Sequence, residues 1–284
     1  MDEWDAYFWP NSDVLKNEPG LLHASTLRAF EYEATRQRAE QLRAAPVPGR
    51  FDTAHYRAIH RHLFQDVYEW AGEYRTIEFS KGRSSFAPLK TPAHTLESWG
   101  EKILGDIASE RYLKGLKKPE FVERLTHYYG ELNFWDPMRE GNGRATKEFL
   151  FQLAKQAGYE LEFQRVGAKT WNNAAERLTG DDDPSLALNV FQKITTPSRA
   201  IAFRDEHIED AVKRFPELQG VADAMEAAKR KSDAEYDAAT GRLFLAKVQA
   251  QLFERLSTGE LVKPHAAVPP PAARPDDEFF RNGP

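Results

Sequence analysis

Apolar residues recur every three or four positions through most of this chain, the interval that gathers them on one face of an α-helix. From Leu22 to Leu42, after the Pro19-Gly20 break, the stripe is Leu22, Leu27, Phe30, Ala34 and Leu42. From Asp52 to Val67 it is Tyr56, Ile59, Leu63, Phe64 and Val67, with Asp52 or Thr53 as the cap. Thr91 to Ser109 turns Leu96, Trp99, Ile103, Leu104 and Ile107 to one side. Lys118 to Trp135 repeats the pattern with Phe121, Leu125, Tyr128, Leu132 and Trp135, and Pro119 stands near its first turn. Arg144 to Ala157 buries Phe149, Leu150, Leu153 and Ala157 and is closed by Gly158. Shorter helices are expected at Thr170 to Leu178 and Pro184 to Ile194, and a charged helical region from Arg204 to Leu256 carries Leu243, Leu245, Val248, Leu252 and Leu256.

The period changes only between Glu73 and Leu89. Tyr74, Thr76, Ile77 and Phe79 lead into Lys81-Gly82-Arg83-Ser84-Ser85 and then Phe86, which predicts a β-hairpin around a glycine turn. The fold class is therefore mainly α with one hairpin. The expected organisation is an N-terminal segment and helix over 1–49, a core over 50–200, a helical extension over 201–260 and a disordered, proline-rich and acidic tail over 261–284.

Composition narrows the functions. The chain of 284 residues has no cysteine, which excludes disulfides, zinc-thiolate sites and thiol nucleophiles. Thirty-nine Lys and Arg stand against 44 Asp and Glu, so there is no overall basic field to collect nucleic acid. No window approaches a bilayer-spanning apolar run, and the acidic, aromatic start lacks the basic and apolar regions of a signal peptide. A cytoplasmic protein is expected, with no membrane partner.

The chemistry is concentrated in Trp135-Asp136-Pro137-Met138-Arg139-Glu140-Gly141-Asn142-Gly143-Arg144. Two glycines immediately before a helix let backbone N–H groups approach an anion, and the first turn leaves those donors unpaired. Arg144 and Lys147 are placed to clamp phosphate oxygens, and Glu140 offers a hard ligand for Mg²⁺ beside phosphates and waters. A Gly-x-Gly before a helix is also a common tight connection, and a single surface charge is usually only solvated. There is no Gly-x-x-x-x-Gly-Lys-Ser/Thr loop and no His-Glu-x-x-His.

Asp136 to Lys147 resembles the signature of the Fic family, His-Pro-Phe-x-Glu-Gly-Asn-Gly-Arg-x-x-Arg. His62-Leu63-Phe64 through Tyr68-Glu69-Trp70-Ala71-Gly72 and Tyr74-Arg75 resembles the helix end of that family, and Ser80-Lys81-Gly82 through Phe86-Ala87-Pro88 its flap hairpin. The resemblance, which runs from about residue 10 to 195, implies a Fic-fold helical domain with a β-hairpin flap, plus a helical C-terminal extension. It also implies transfer of AMP from ATP, with Mg²⁺, to a Ser, Thr or Tyr hydroxyl of a target protein. Glu140 would hold the metal; Gly141, Asn142, Gly143, Arg144 and Lys147 would bind the nucleotide; and Thr76, Ile77, Glu78, Phe79 and Phe86 would align the target. Toxin-like members extend the expectation to a delivered effector and to a separate antitoxin-like inhibitor. A Ser/Thr-x-x-x-Glu inhibitory helix is not present in clean form, since Thr26 precedes Glu31, and Thr35 precedes Glu40, by five.

The sequence departs from the family at the catalytic histidine, which is Asp136, at the phenyl position, which is Met138, and at the closing arginine, which is Lys147. An ordinary Asp (pKa ~3.9) holds a proton more weakly than His (~6.5) by roughly 3.5 kcal/mol. Trp135 beside it could raise that affinity by desolvation. Three roles stay open for Asp136: a weaker base, a second metal ligand, or a dead substitute. The alternative to an enzyme is a degenerate scaffold that binds nucleotide or protein. His55, His60, His62 and His127 are expected to be partly buried or at the surface rather than replacements for the missing base.

Overall fold

In a computed structural model that describes residues 5–81 and 84–260, the chain is mostly helical. It divides into two units, one ending at Ser198 and one beginning at Arg199. The first unit contains α1 (Ala24–Ala44), α2 (Thr53–Phe64), α3 (Leu96–Ser109), α4 (Lys118–Trp135), α5 (Asn142–Ala157), α6 (Ala168–Gly180) and α7 (Ser185–Ile194). Its helix starts follow local chemistry. Asp52 caps α2 by accepting the His55 N–H at 2.9 Å, and Thr95 and Ser98 cap α3 reciprocally. That box places the start of α3 at Leu96, so Thr91 lies outside the helix. Pro119 sits in the first turn of α4 and Gly158 closes α5 in the left-handed region at φ 91°.

The expected stripes form the core: Tyr56, Ile59 and Phe64 of α2, Phe121, Leu125, Leu132 and Trp135 of α4, and Phe149, Leu150 and Leu153 of α5 are all inaccessible to solvent. Helix α5 packs against α1, α2 and α4, which places its N-terminus among three supporting elements. Trp135 fastens α4 to α3. Its indole N–H donates to the Leu96 carbonyl at 2.6 Å, and a Cβ on Gly100 would stand 2.2 Å from its ring. Helix α1 behaves differently from its sequence stripe. Leu22 lies before the helix and is 62% exposed; within it Leu27 and Leu42 are buried but Phe30 is 38% exposed, because α1 meets the core along a narrower line than its apolar residues describe.

The hairpin is present but short: β1 (Ser80–Lys81) pairs antiparallel with β2 (Ser84–Ser85), with Ser80 opposite Ser85. Thr76 to Phe79 form its root rather than its ladder, and Gly82 and Arg83 lie outside the described residues. A second antiparallel pair, β3 (Tyr159–Leu161) with β4 (Thr195–Pro197), had no period-two signal; three residues are too few to show one. The second unit comprises most of α8 (Ser198–Asp205) with α9 (Ile208–Arg214), α10 (Gln219–Glu235) and α11 (Ala238–Ser257), around its own core of Phe203, Leu218, Val221, Leu252 and Leu256. Leu243, read as part of that stripe, is instead 74% exposed. The tail over 261–284 lies outside the described residues.

Candidate active site

The loop between α4 and α5 is closed by its own side chain. Asn142 Oδ1 accepts the Met138 N–H at 2.8 Å and its Nδ2 donates to the Met138 carbonyl at 2.7 Å. The amide expected to seat phosphate is therefore turned inward and 3% exposed, and only the Asn142 backbone faces that task. Met138 itself is fully buried. Asp136 caps α4 at φ 36°, ψ 59°, a left-handed conformation that Asp, Asn and His tolerate better than most residues. It is 7% exposed and lines a cleft of about 400 Å³ with Ser84, Phe86, Asn133, Asn172 and Glu176. Ser84 of the hairpin reaches across to Thr179 of α6 at 2.8 Å.

The two glycines serve different needs. Gly141 caps α5 at φ 86°, and a Cβ there would stand 2.2 Å from the Phe64 ring, so conformation and packing both require glycine. Gly143 has neither reason: a Cβ would meet nothing within 4 Å, and glycine in a helix is unfavourable by about 1 kcal/mol relative to alanine. Among the described residues no acceptor meets the N–H groups of Asn142 and Gly143, while those of Arg144 and Ala145 turn back to the Gly141 carbonyl at 3.0 and 3.1 Å. Two donors at the positive end of a 16-residue helix are thus open, and the glycine keeps the approach to them clear.

Cations flank these donors. Arg144 lies 4.6 Å over the Phe64 ring, donates to Thr35 Oγ1 at 3.3 Å and to the Glu31 carboxylate, and stands 3.9 Å from Glu140. Tyr68 donates to the other oxygen of Glu31. Lys147 sits 4.5 Å over the Trp171 ring, and burial, reinforced by Arg144, pulls its pKa down to about 8. Glu140 accepts the Gly141 N–H at 3.0 Å and keeps a third of its side chain exposed. One accessible carboxylate at the open end of a helix fits Mg²⁺, which takes few protein ligands when phosphates and waters complete its shell. Among the described residues no group of three or more acidic or histidine side chains could hold a metal by itself.

His60 proves to be fully buried, not partly exposed. Its Nδ1 accepts the Gly72 N–H at 3.0 Å, which leaves Nε2 to donate to the Glu140 carbonyl at 2.8 Å. Burial holds its pKa down at about 4, so it is a neutral strut beneath the loop. His127 is exposed on α4, as expected of a helix-surface residue. Of the hairpin residues assigned to target alignment, Ile77 is buried, Thr76 is bonded through its N–H to Tyr7 Oη at 3.1 Å, and Glu78 accepts the Leu89 N–H at 2.7 Å. Phe79 and Phe86 pack on each other at 5.2 Å. The contacts of Glu31, Tyr68 and Tyr7 have no sequence signal: Tyr68 falls in the family-like helix end and Glu31 follows Thr26 by five, but neither position shows which partner it meets once the chain folds.

A family model described as Fic/DOC matches residues 50–154, the span from α2 through most of α5. A probable protein adenylyltransferase Fic from Escherichia coli strain K12 is 34% identical over 192 residues, covering 68% of this chain and 92% of that protein. Protein adenylyltransferase VbhT of Bartonella schoenbuchensis is 37% identical over 185 residues, 65% of this chain and 38% of its own length. Among solved structures, the N-terminal Fic domain of a VirB-translocated Bep effector from Bartonella quintana, with bound ADP, superposes with a TM-score of 0.61 at 28% identity. That likeness covers 69% of this chain and 97% of the domain. No helix among the described residues is long and apolar enough to cross a membrane.

Proposed function

This chain belongs to the Fic/DOC family, and on that premise we propose that it is an adenylyltransferase moving AMP from ATP to a Ser, Thr or Tyr hydroxyl of a target protein. The observation that carries this reading is the first turn of α5: two open N–H donors, a glycine without a packing reason, and Arg144 with Lys147 alongside. The ADP found in a related Fic domain supports the nucleotide as the ligand of such a turn.

In the proposed reaction the Asn142 and Gly143 N–H groups and Arg144 hold the phosphates, and Lys147 adds charge at the far side of Arg144. Glu140 is the residue that would hold Mg²⁺, which supplies charge neutralisation on the phosphates. The target hydroxyl oxygen forms a bond to the α-phosphorus, the bond from that phosphorus to the oxygen bridging the α- and β-phosphates breaks, and pyrophosphate leaves. Asp136 accepts the hydroxyl proton, as an aspartate does in kinases. The hairpin presents the target by main-chain pairing beside β1 and β2. By the same reading the protein acts in the cytoplasm or as a delivered effector, with an antitoxin-like inhibitor as a further partner.

A second reading has its own support. Asp136 replaces the histidine of the family signature, and Glu31 already pairs with Arg144, which suits a degenerate scaffold that binds nucleotide or protein without transfer. Incubation with α-labelled ATP, Mg²⁺ and cell lysate, followed by mass spectrometry of labelled proteins, separates the two. Label on a Ser, Thr or Tyr of another protein supports transfer; calorimetric ATP binding with no label from ATP, UTP, GTP or CDP-choline supports the scaffold.

A further inference from the structure

Arg75 is a buried cation, with none of its side chain exposed, and its guanidinium is spent on backbone carbonyls. Nε donates to the Asp136 carbonyl at 3.0 Å, Nη1 to the Ile77 carbonyl at 2.8 Å, and Nη2 to the Ala87 carbonyl. The Arg75 N–H donates to the Pro137 carbonyl at 2.8 Å. Ile77 and Ala87 are the two roots of the hairpin, one on each side of β1 and β2. The Ala87 N–H in turn donates to the Phe134 carbonyl at 2.7 Å, two residues before Asp136. One side chain therefore joins both legs of the hairpin to the residue proposed as the base.

The ion pair with Glu78 is 3.5 Å long and Glu78 is 59% exposed, so that pair offsets the buried charge only weakly. A buried ion is a poor means of adding stability where an apolar group would fill the same space. What the guanidinium supplies is geometry: a rigid, planar fork of donors that holds three acceptors at fixed mutual positions. An ammonium, a single point on a flexible stem, cannot do so.

We propose that Arg75 is a positioning residue that sets the register of the hairpin against Asp136, so that a segment paired along the hairpin brings its hydroxyl to the carboxylate. This rests on the adenylyltransferase reading, in which the hairpin presents the target and Asp136 takes the proton. Arg75 touches no phosphate-binding group, so its effect falls on target alignment and not on nucleotide affinity.

The test is Arg75→Lys, with Arg75→Gln as a second variant, each measured three ways in the full chain. Amide hydrogen exchange is expected to speed up at least tenfold at Ala87 and in β1 and β2, and to stay unchanged in the middle of α4 and α5. Calorimetric Mg-ATP affinity is expected to stay within twofold of the parent. Transfer to the target is expected to fall at least tenfold in kcat/KM. Unchanged exchange in the hairpin, or equal losses of ATP affinity and transfer, would overturn the proposal. Failure of both variants to fold would make Arg75 a stability residue and overturn it as well. If the parent protein transfers nothing, the adenylyltransferase reading fails, while the exchange measurement still decides whether Arg75 ties the hairpin to Asp136.

Discussion

Glu31 of α1 holds Arg144 of α5 across 113 positions of sequence, with Tyr68 donating to the same carboxylate. The pair fixes the guanidinium beside the first turn of α5 and, in the proposed nucleotide site, puts a negative charge where a phosphate would come.

Opposite effects are expected from removing the two partners. Arg144→Ala is expected to weaken Mg-ATP binding about tenfold or more, equivalent to roughly 1.4 kcal/mol per factor of ten. Glu31→Gln is expected to tighten it by several-fold, because Thr35 and Phe64 still orient the guanidinium while the competing charge is gone. Calorimetry on the folded variants checks both, and an unchanged affinity for Arg144→Ala removes the phosphate site.

The two glycines are expected to part company. Gly141→Ala forces a side chain into the left-handed region and onto Phe64, and a loss of about 2 kcal/mol or more is expected. Gly143→Ala is expected to leave stability unchanged or raise it by up to about 1 kcal/mol while weakening nucleotide binding. Denaturant melts beside calorimetry show the difference. A Gly143→Ala protein with full affinity would mean that the open turn is not the nucleotide site.

If Lys147 lies in the nucleotide site as proposed, binding is expected to be sensitive to alkali. Its folded pKa is about 8 against an ordinary 10.5, so it loses charge as pH rises through 8, and affinity is expected to fall there. Stability moves the other way. Between pH 8 and 10.5 the unfolded chain binds the extra proton, so the strain of burying the ammonium is relieved as pH rises through that window. Lys147→Met should abolish both trends and weaken binding at pH 7, as isothermal titrations at pH 6.5, 8 and 9.5 would reveal.

His60 produces the acid counterpart. Its folded pKa is about 4 and its ordinary value 6.5, so as pH falls from 6.5 to 4 the unfolded chain takes the proton first and stability declines. Thermal melts across this range are expected to lose their slope in His60→Gln, provided that the variant still folds.

Asp136 decides between the two functional readings. As a base it makes the transfer rate rise with pH through its apparent pKa, and Asp136→Asn is expected to lower the rate roughly 10²–10⁴-fold with ATP affinity kept. In a degenerate scaffold Asp136→His is expected to create AMP transfer that the parent lacks. A parent whose rate is indifferent to Asp136→Asn does not use this carboxylate as its base.

The helices were legible because each is a local pattern. Asp52 and Thr95 cap, Pro119 and Gly158 bound, and the apolar period of α2, α4 and α5 matches the faces that are buried. The hairpin is legible but not its length: Ile77 and Phe79 alternate like a strand, yet Ile77 packs inward and the ladder begins only at Ser80. In α1 the converse holds: Phe30 has helical spacing but is 38% exposed, because spacing alone does not show which face the core covers.

The sequence by itself determined the site's chemical parts: an Asp at the end of one helix, a carboxylate and a glycine before the next, and a second glycine and two cations in its first two turns. These lie within twelve consecutive residues, so short-range geometry brings them together wherever that loop folds. Only the tertiary structure decided how each part is used. It turned the Asn142 amide inward, placed Glu31 on Arg144, set His60 under Glu140 and tied the hairpin to Asp136 through Arg75. The Asn142 amide turns back on Met138 within its own loop, but the other partners come from separate elements, and their meeting depends on how the helices pack, a choice made by the whole core at once.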